Sequence, residues 1–350
     1  MRLGDLSVSY VELMARAVAQ SGYDPTEILR QYQLDEVKLA SPDARISIPR
    51  FMRMGHSMIS AFRLPHLGLA MGRCSSPSMM GIAGLLAQSA QDIRSACRAV
   101  TEYELLSSFN ARGRSVFSTE KGQGVVSFYS ISPYNDYNLF VVDSVLSGWF
   151  TFLSMVSGRT DLVARIEVEF PAPDYRDQYA DFFPCEVRFG AERNALVLHE
   201  WALPLIVRTR CASTYSALKL LADRELERVR LGLSFREMTE RAIGPLLNGQ
   251  TPTLEQVAQR LNMAPWTVRR RLTDEGYTFQ QVLNDTRRDL AVSYVRDTTL
   301  TLGEIAYLLG FGSATAFQRA FKRWTGEAPG RFRERTGRGY ISTASSTSSS

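Results

Sequence analysis

Two copies of one helical pattern near the C-terminus constrain this chain most. The copies at 253–258 and 301–306 read Thr-Leu-Glu-Gln-Val-Ala and Thr-Leu-Gly-Glu-Ile-Ala, and equivalent residues lie 48 positions apart. Each copy begins with a Thr that is followed three residues later by Gln or Glu, a spacing that caps a helix N-terminus. Asn262 and Gly310, which tolerate the left-handed backbone region, follow the two short helices. The repeat therefore predicts two helix-turn-helix units.

The second helix of each unit is predicted to be the recognition helix that enters the major groove. The first should run from Pro265 to a stop at Gly276, and the second from the N-cap Ser313 to a stop at Gly326. The positions expected to face inward are Val268, Leu272, Phe317 and Phe321. The predicted DNA contacts are Trp266, Thr267, Arg269, Arg270, Arg271, Ser313, Thr315, Gln318, Arg319, Lys322 and Arg323.

Some of these side chains have a second interpretation that the sequence leaves open. Trp266 belongs either to the core or to a surface that touches a sugar or a thymine methyl group. Arg319 either contacts DNA or forms an ion pair within its own domain. Arg271 is expected nearer the phosphates than the two arginines before it. Arg287 and Arg288, between the two units, bind either phosphate or acidic neighbours such as Asp285 and Asp289.

A long helix predicted over 278–297 connects the two units. Thr278 and Gln281 form a further capping box, and Leu283, Leu290 and Tyr294 belong to an apolar stripe. At 1.5 Å per residue such a helix is roughly 30 Å long, which is close to the spacing of about 34 Å between successive major-groove faces. One chain would therefore hold both recognition helices on one side of a duplex.

The first 210 residues have the pattern of an α+β domain. Helices are expected over most of 1–110, and strands at 114–120, 124–131, 162–170, 186–189 and 195–198. The most apolar window, 137–156, is about long enough to span a bilayer. Asp143 lies inside that window, which favours a buried helix of a soluble domain and no membrane contact.

The predicted fold class is multi-domain, with an α+β N-terminal domain and an all-α C-terminal domain. The N-terminal domain covers 1–210 and a linker helix covers 211–233. The tandem helix-turn-helix domain covers 234–337. A tail at 338–350, dominated by Ser and Thr, is expected to be disordered because it cannot bury apolar area.

The distribution of charge indicates the partner better than the net charge of +5 does. From Thr251 onward there are 14 Lys and Arg against 9 Asp and Glu, whereas the first 250 residues contain 27 of each sign. All the net positive charge therefore lies in the last hundred residues. A polyanion such as DNA suits that end of the chain.

No pattern of catalytic or metal-ligating residues is present in the sequence. The cysteines at 74, 97, 185 and 211 form no Cys-x-x-Cys pair and lie apart from the three histidines, so we expect no zinc site and reduced thiols. Cys185 lacks the neighbouring His that would activate a methyl-acceptor thiol. Gly122 and Gly124 lack the third glycine of a dinucleotide loop. We expect no enzymatic activity and no cofactor.

The C-terminal residues resemble the arabinose-regulator (AraC/XylS) family of bacterial transcription regulators. The similarity covers roughly 234–335 and is strongest at 304–311, at 317–326 and from Pro329 to the Phe332-Arg333 pair. The family expects a small hydroxyl residue around Ala264 and Pro265, and this chain has none there. The missing cap makes the docking of the first recognition helix the least defined part of the similarity.

The N-terminal part resembles the effector-binding half of the branch that includes ornithine-utilization regulators. This looser similarity spreads over about the first 205 residues. It rests on 170–173, Tyr179, Phe182, Pro184, Phe189, Asn194, Leu196 and 203–205. It implies a cytoplasmic sensor domain that binds a small-molecule effector and also dimerises.

The combined interpretation is a sequence-specific transcription regulator, an activator, controlled by an effector bound in the N-terminal domain. Its expected partners are double-stranded promoter DNA, a small-molecule effector, a second copy of the chain and, for an activator, RNA polymerase. Two alternatives stay open. One is a constitutive DNA-binding regulator without an effector, and the other is an enzyme domain fused to a DNA-binding domain.

Overall fold

The fold is that of a computed structural model, which describes residues 5–39, 44–109, 115–128, 134–135, 137–231, 234–247, 249–298 and 300–337. The chain divides into two compact units. The first contains 1–47 and 54–232, and the second contains 233–350 together with the short segment 48–53. The predicted tail at 338–350 lies outside the described residues.

Helices and two small sheets alternate up to residue 231. The helices are Ser9–Gln20 (α1), Thr26–Gln31 (α2), Glu36–Leu39 (α3), Ile48–Phe62 (α4), Leu67–Cys74 (α5), Gly81–Gln88 (α6), Ile93–Tyr103 (α7), Leu139–Ser157 (α8), Asp177–Phe182 (α9) and Ala212–Leu231 (α10). The strands are Asp5–Ser7 (β1), Arg45–Ser47 (β2), Ser108–Phe109 (β3), Val116–Glu120 (β4), Gln123–Phe128 (β5), Val163–Val168 (β6), Glu186–Phe189 (β7) and Asn194–Leu198 (β8). This α+β content agrees with the sequence prediction.

The larger sheet has the strand order β4-β5-β8-β6-β7, and only the β6–β7 pair is parallel. In the smaller sheet β1 pairs with β2 and β3, both antiparallel. The register of β6 against β8 shifts between Val163 and Arg165. This irregularity allows Val163 and Ile166, three residues apart, both to be buried. The register shift therefore interrupts the regular alternation of inward and outward side chains at the start of β6.

Helix α8 forms the centre of the first unit. By length and hydropathy it is the one helix, among the described residues, that could cross a membrane. However, Leu146 and Phe152 are fully buried in the hydrophobic core of the unit. Asp143 is buried as well and accepts hydrogen bonds from the hydroxyl groups of Tyr175 and Tyr179. These contacts make α8 a core helix, as the sequence predicts.

Helix α10 lies where the sequence predicts a linker helix, and it is part of the first unit. Ala222 and Leu226 of α10 are buried in the hydrophobic core of that unit. The Tyr103 hydroxyl of α7 donates a hydrogen bond to Asp223, and Lys219 donates to both groups. Core packing and a polar cluster thus both attach α10 to α7.

The second unit is helical in its described part. Its helices are Phe235–Ile243 (α11), Leu254–Arg260 (α12), Pro265–Asp274 (α13), Phe279–Asp297 (α14), Leu302–Leu308 (α15), Ala314–Thr325 (α16) and Pro329–Gly337 (α17). The capping boxes predicted at Thr253, Thr278 and Thr301 are all present, and Ser234 forms another. The pairs α12–α13 and α15–α16 are therefore the two predicted helix-turn-helix units, and α14 connects them.

Candidate DNA-binding surface

Two tight turns set the positions of the recognition helices α13 and α16. Asn262 has φ of 51° and Gly310 has φ of 68°, so both adopt the left-handed conformation that the sequence predicts. Two features exclude a side chain at Gly310. Its positive φ is unfavourable for residues other than glycine, and a Cβ atom would collide with the carbonyl oxygen of Gln250. Each turn therefore fixes how its recognition helix leaves the preceding helix.

The outward face of α13 presents Arg270. Val268 and Leu272 are fully buried, and the helical period of 3.6 residues places Arg270 opposite them. Trp266 lies on the same outward side and is 66% exposed, so it belongs to the surface and not to the core. The Arg270 guanidinium lies 4.0 Å from the Asp274 carboxylate. An exposed contact of this kind contributes little, so it leaves Arg270 able to bind another acceptor.

Thr267, Arg269 and Arg271 flank that face. Both arginines are exposed and Thr267 is half-buried. The Arg271 guanidinium lies 5.1 Å from the centre of the Phe235 ring, which is a cation–π contact with α11. Arg271 therefore helps to hold α13 against α11, whereas Arg269 and Arg270 have no comparable ring contact with the residues that the structure describes.

The outward face of α16 is basic and polar. Phe317 and Phe321 are fully buried, and the opposite side of the helix carries Thr315, Arg319 and Lys322, which are exposed. Arg319 forms no ion pair with any residue that the structure describes. Of the two alternatives for Arg319, an intradomain ion pair is therefore the one that the structure does not support.

Ser313, Gln318 and Arg323 complete the predicted set and are all exposed. The Ser313 hydroxyl oxygen accepts a hydrogen bond from the backbone N–H of Ala316 at 3.2 Å, so Ser313 caps α16. Its hydroxyl proton can still be donated to another acceptor. Helix N-termini attract phosphate groups, so the start of this 12-residue helix suits contact with a DNA backbone.

The first recognition helix begins without a side-chain cap. Ala264 occupies the N-cap position with φ −70° and ψ 144°, and Pro265 follows it. A serine there would accept a hydrogen bond from the Thr267 N–H. We expect Ala264→Ser to raise the free energy of unfolding by about 1 kcal/mol in urea denaturation. Ala264→Val is the control, and an equal gain in that variant would show that capping is not the cause.

The environment of Arg287 in the structure contradicts both interpretations made from the sequence. Among the described residues it forms no ion pair with an acidic side chain, and phosphate cannot reach it because only 6% of the residue is exposed. Its Nε donates to the carbonyl oxygen of Leu309 at 2.8 Å. Its Nη2 donates to the carbonyl oxygen of Gly310 at 2.6 Å and to the hydroxyl oxygen of Thr251 at 3.1 Å. Burial lowers the pKa of Arg287 to about 10. Arg287 thus connects α14 to the turn of the second helix-turn-helix, between α15 and α16.

The periodicity of α14 contains a signal for this role. Arg287 lies four residues after Leu283 and four before Ala291, and both of these residues are fully buried. It therefore falls on the apolar stripe of α14, where a charged group must find internal partners. Adjacency in the sequence does not separate Arg287 from Arg288, but the position of Arg287 on this stripe does.

Arg288 does have the acidic partners that the sequence offers. Its guanidinium lies 3.1 Å from both Asp285 and Asp289. Arg236 of α11 also reaches Asp285 at 3.1 Å. Since one carboxylate serves both arginines, α11 and α14 are held together at this point.

Hydrogen bonds to the backbone complete the attachment of the outer helices. Arg333 of α17 donates to the carbonyl oxygens of Val295 and Leu300 at 3.1 and 2.6 Å. The Glu275 carboxylate, just after α13, accepts from the first two N–H groups of α11 at 2.6 and 2.9 Å. Both recognition helices are therefore fixed to one scaffold built around α14.

The surroundings of Cys185 do not activate its thiol. All four are free, and Cys185 is half-buried against the core. Burial, with the charge of Glu186, raises its pKa to about 11. Among the described residues, no three His, Cys, Asp or Glu side chains are grouped so that they could hold a metal ion.

Two family profiles match this chain. The profile described as the arabinose-binding domain of AraC transcription regulator, N-terminal, matches residues 22–205, which is more than half of the chain. The chain belongs to the AraC family of transcription regulators. A helix-turn-helix domain profile matches 257–335. This AraC-family protein is therefore a DNA-binding transcription regulator with an N-terminal effector domain.

The similarity to other regulators extends over nearly the whole chain. An ornithine utilization regulator of Pseudomonas aeruginosa is 27% identical over 331 residues, covering 93% of this chain and 96% of its own. The transcriptional regulator VirS of Mycobacterium tuberculosis is 26% identical over 330 residues, covering 93% and 94%. Among solved structures, the transcriptional regulator CdpR of Pseudomonas aeruginosa covers 89% of this chain and 96% of its own, with 23% identity and a TM-score of 0.42.

Proposed function

We propose that this regulator activates transcription by placing α13 and α16 in successive major grooves of promoter DNA. The observation that supports this most is the exposure of Trp266, Arg270, Thr315, Arg319 and Lys322 on the outward faces of two helices that share one scaffold. Side chains that point away from the core on such helices are the ones that reach base edges.

The exposed residues divide into base-reading and phosphate-binding groups. Arg270, with Arg269 beside it, is proposed to read guanine edges through paired hydrogen bonds, each worth about 1–3 kcal/mol of discrimination. Trp266 would touch sugar or a thymine methyl group. Arg323, near the C-terminal end of α16, would bind phosphate, as would Arg271 beyond its contact with α11. The other predicted contacts, Thr267, Ser313 and Gln318, would position the two helices.

Arg270→Ala and Arg323→Ala test this division. We expect Arg270→Ala to relax specificity at one base pair and to cost about 1–3 kcal/mol of binding free energy on the preferred sequence. Arg323→Ala should weaken binding evenly across sequences. The slope of log affinity against log salt concentration should become shallower by about 1, as expected for the loss of one phosphate contact. Selection of binding sequences from a random pool, followed by titration at several salt concentrations, measures both effects. An unchanged base preference in Arg270→Ala would remove Arg270 from the base-reading group.

The proposal also includes the partners and the place of action. We propose a cytoplasmic homodimer that contacts RNA polymerase at the promoter and performs no catalytic step. The urease operon transcriptional activator of Escherichia coli, 38% identical over 80 residues, supports the role of an activator. Leu220 and Leu221 of α10 are 53% and 47% exposed. Large apolar side chains on a helix surface suit contact with a second copy of the chain.

A further inference from the structure

We infer that a cavity beside α8 in the N-terminal unit is the effector site. We further infer that it takes a small molecule with hydrogen-bond donor groups on a short hydrocarbon. The cavity, called here the α8 cavity, has a volume of about 80 Å³ and lies among α1, α6, α7 and α8. This inference rests on the proposed control by an effector and adds the location and the chemical class of the ligand.

The α8 cavity forms where two closely packed helices separate. Gly68 and Gly72 of α5 lie against α8 so closely that a Cβ atom on either would collide with it. Further along α8, Gly148 faces Ser75, just after α5. A Cβ atom on Gly148 would have the Ser75 Oγ, 3.6 Å away, as its nearest neighbour. The tight contact between α5 and α8 therefore ends at Ser75, and an open space follows.

Ser75 supplies an unused polar group on the wall of this space. The residue is only 7% exposed. Within the part of the chain that the structure describes, its hydroxyl group has no hydrogen-bond partner. The Ser75 oxygen is not one of the enclosed side-chain atoms that lack a partner, so it is reached from the cavity, where a ligand can bind it. We interpret the Ser75 hydroxyl as a group whose partner is the ligand.

The rest of the polar wall indicates the sign of charge that the ligand can carry. Tyr10, Glu104, Ser107 and Ser115 line the cavity, and Ser115 donates to Glu104 from its backbone N–H at 2.7 Å and from its hydroxyl at 3.0 Å. Burial and the charge of Glu104 raise the pKa of Tyr10 to about 12, so its hydroxyl stays protonated. The described residues that line the cavity include no Lys, Arg or His. An anionic ligand would therefore lack a counter-charge, whereas a hydroxyl or ammonium group would find oxygen acceptors.

The remaining wall is apolar and limits the size of the ligand. Leu13, Met79, Val100 and Trp149 line the cavity, and Trp149 is only 4% exposed. A hydrocarbon segment packed against these side chains would leave water. A water molecule needs about 10–15 Å³ in a cavity, so the space suits a ligand of roughly six non-hydrogen atoms.

Three probes with the same four-carbon chain test the ligand class: 1,4-butanediol, 1,4-diaminobutane and succinate. We expect the diol or the diamine to raise the thermal midpoint of the full chain, and succinate to leave it unchanged. The comparison of diol with diamine tells a hydroxyl ligand from an ammonium ligand. A rise with succinate, or no rise with any of the three, would overturn the inference.

Two variants and a matched control test the location of the site. Gly148→Ala places a methyl group in the cavity without a clash, and Ala is better than Gly within a helix, so this variant should fold and bind the active probe at least tenfold more weakly. Ser75→Ala should abolish the probe-induced shift without lowering the midpoint of the free protein. Ser89, which is 6% exposed and donates to the Leu85 carbonyl at 3.1 Å, is the control. Ser89→Ala should lower the midpoint of the free protein and keep the shift.

Wild-type affinity for the probe in both Gly148→Ala and Ser75→Ala would show that the probe binds elsewhere. Promoter binding by the same proteins, measured without a probe, separates the two levels of the proposal. Variants that bind promoter DNA normally but whose probe affinity does not change contradict only the inference about the cavity. Absence of sequence-specific DNA binding by the wild-type chain would contradict the proposed function itself.

Discussion

Replacement of Arg287 by leucine is expected to lower the free energy of unfolding of the C-terminal unit by about 3 kcal/mol. The variant loses the donors to the buried carbonyl groups of Leu309 and Gly310. A hydrogen bond to a charged group contributes about 1.5–3 kcal/mol, and an unsatisfied buried acceptor costs about 1–3 kcal/mol. Urea denaturation of the full chain measures the loss. Hydrogen exchange at the Phe311 amide, which bonds to the Ala306 carbonyl at 2.8 Å, locates it in the turn.

Arg288→Leu is the matched control because the two arginines are adjacent on one helix. Arg288 pairs with partly exposed carboxylates, and such pairs contribute about 0–1 kcal/mol. Arg287→Lys should give an intermediate loss, since an ammonium group cannot reproduce the planar fork that reaches two carbonyl groups. Equal losses in Arg287→Leu and Arg288→Leu would contradict the role assigned to Arg287.

Asp143 is expected to make the N-terminal unit more stable as the pH falls from about 7 to about 4. Burial raises the pKa of Asp143 from 3.8 to about 7, although hydrogen bonds from Tyr179 and Tyr175 act in the opposite direction. The folded state therefore holds this proton more tightly than the unfolded state does. The resulting stabilisation is fully present below the unfolded pKa and is lost as the pH rises through the folded pKa.

Asp143→Asn isolates this contribution from those of other titrating groups. The asparagine can still accept a hydrogen bond from one tyrosine and donate to the other, but it carries no charge. The stability of the variant relative to the wild type should increase with pH by on the order of 4 kcal/mol between about pH 4 and pH 7, because one pKa unit corresponds to about 1.4 kcal/mol. Urea denaturation at several pH values measures the difference.

Tyr175→Phe checks the physical cause. It removes the hydrogen bond that Tyr175 donates at 2.8 Å to the Asp143 carboxylate, so the pKa of Asp143 should move further upward. The loss of stability on raising the pH should then extend to higher pH than in the wild type. A stability difference between Asp143→Asn and wild type that does not vary with pH would rule out titration of this residue.

The helix-turn-helix units could be predicted because their signals are local. The capping boxes at Thr253 and Thr301 use residues three positions apart, and the structure forms both. The turns need only a residue that tolerates positive φ, and Asn262 and Gly310 provide it. Burial of Phe317 follows from helical period alone. Each of these features depends on residues within one or two turns of helix.

The features that escaped prediction depend on contacts between distant segments. Arg287 bonds to a carbonyl group 23 residues away, which exists as an acceptor only once the second turn has formed. Arg271 lies over Phe235, in a different helix. In the N-terminal unit the sequence shows the glycines of α5, but it does not show that they pack against α8. The cavity beside Ser75 and Gly148 results from that packing, so no local sequence pattern predicts it.

The attachment of both recognition helices to one scaffold around α14 has a consequence for the DNA itself. Two recognition helices held on one scaffold cannot adjust their separation independently, so a target must present its two contacted segments at one interval and one rotational phase. A duplex whose natural pitch or curvature departs from that geometry has to be twisted or bent to fit, at an energetic expense that depends on its stacking. Base pairs that no side chain touches would in this way influence which promoters the protein occupies.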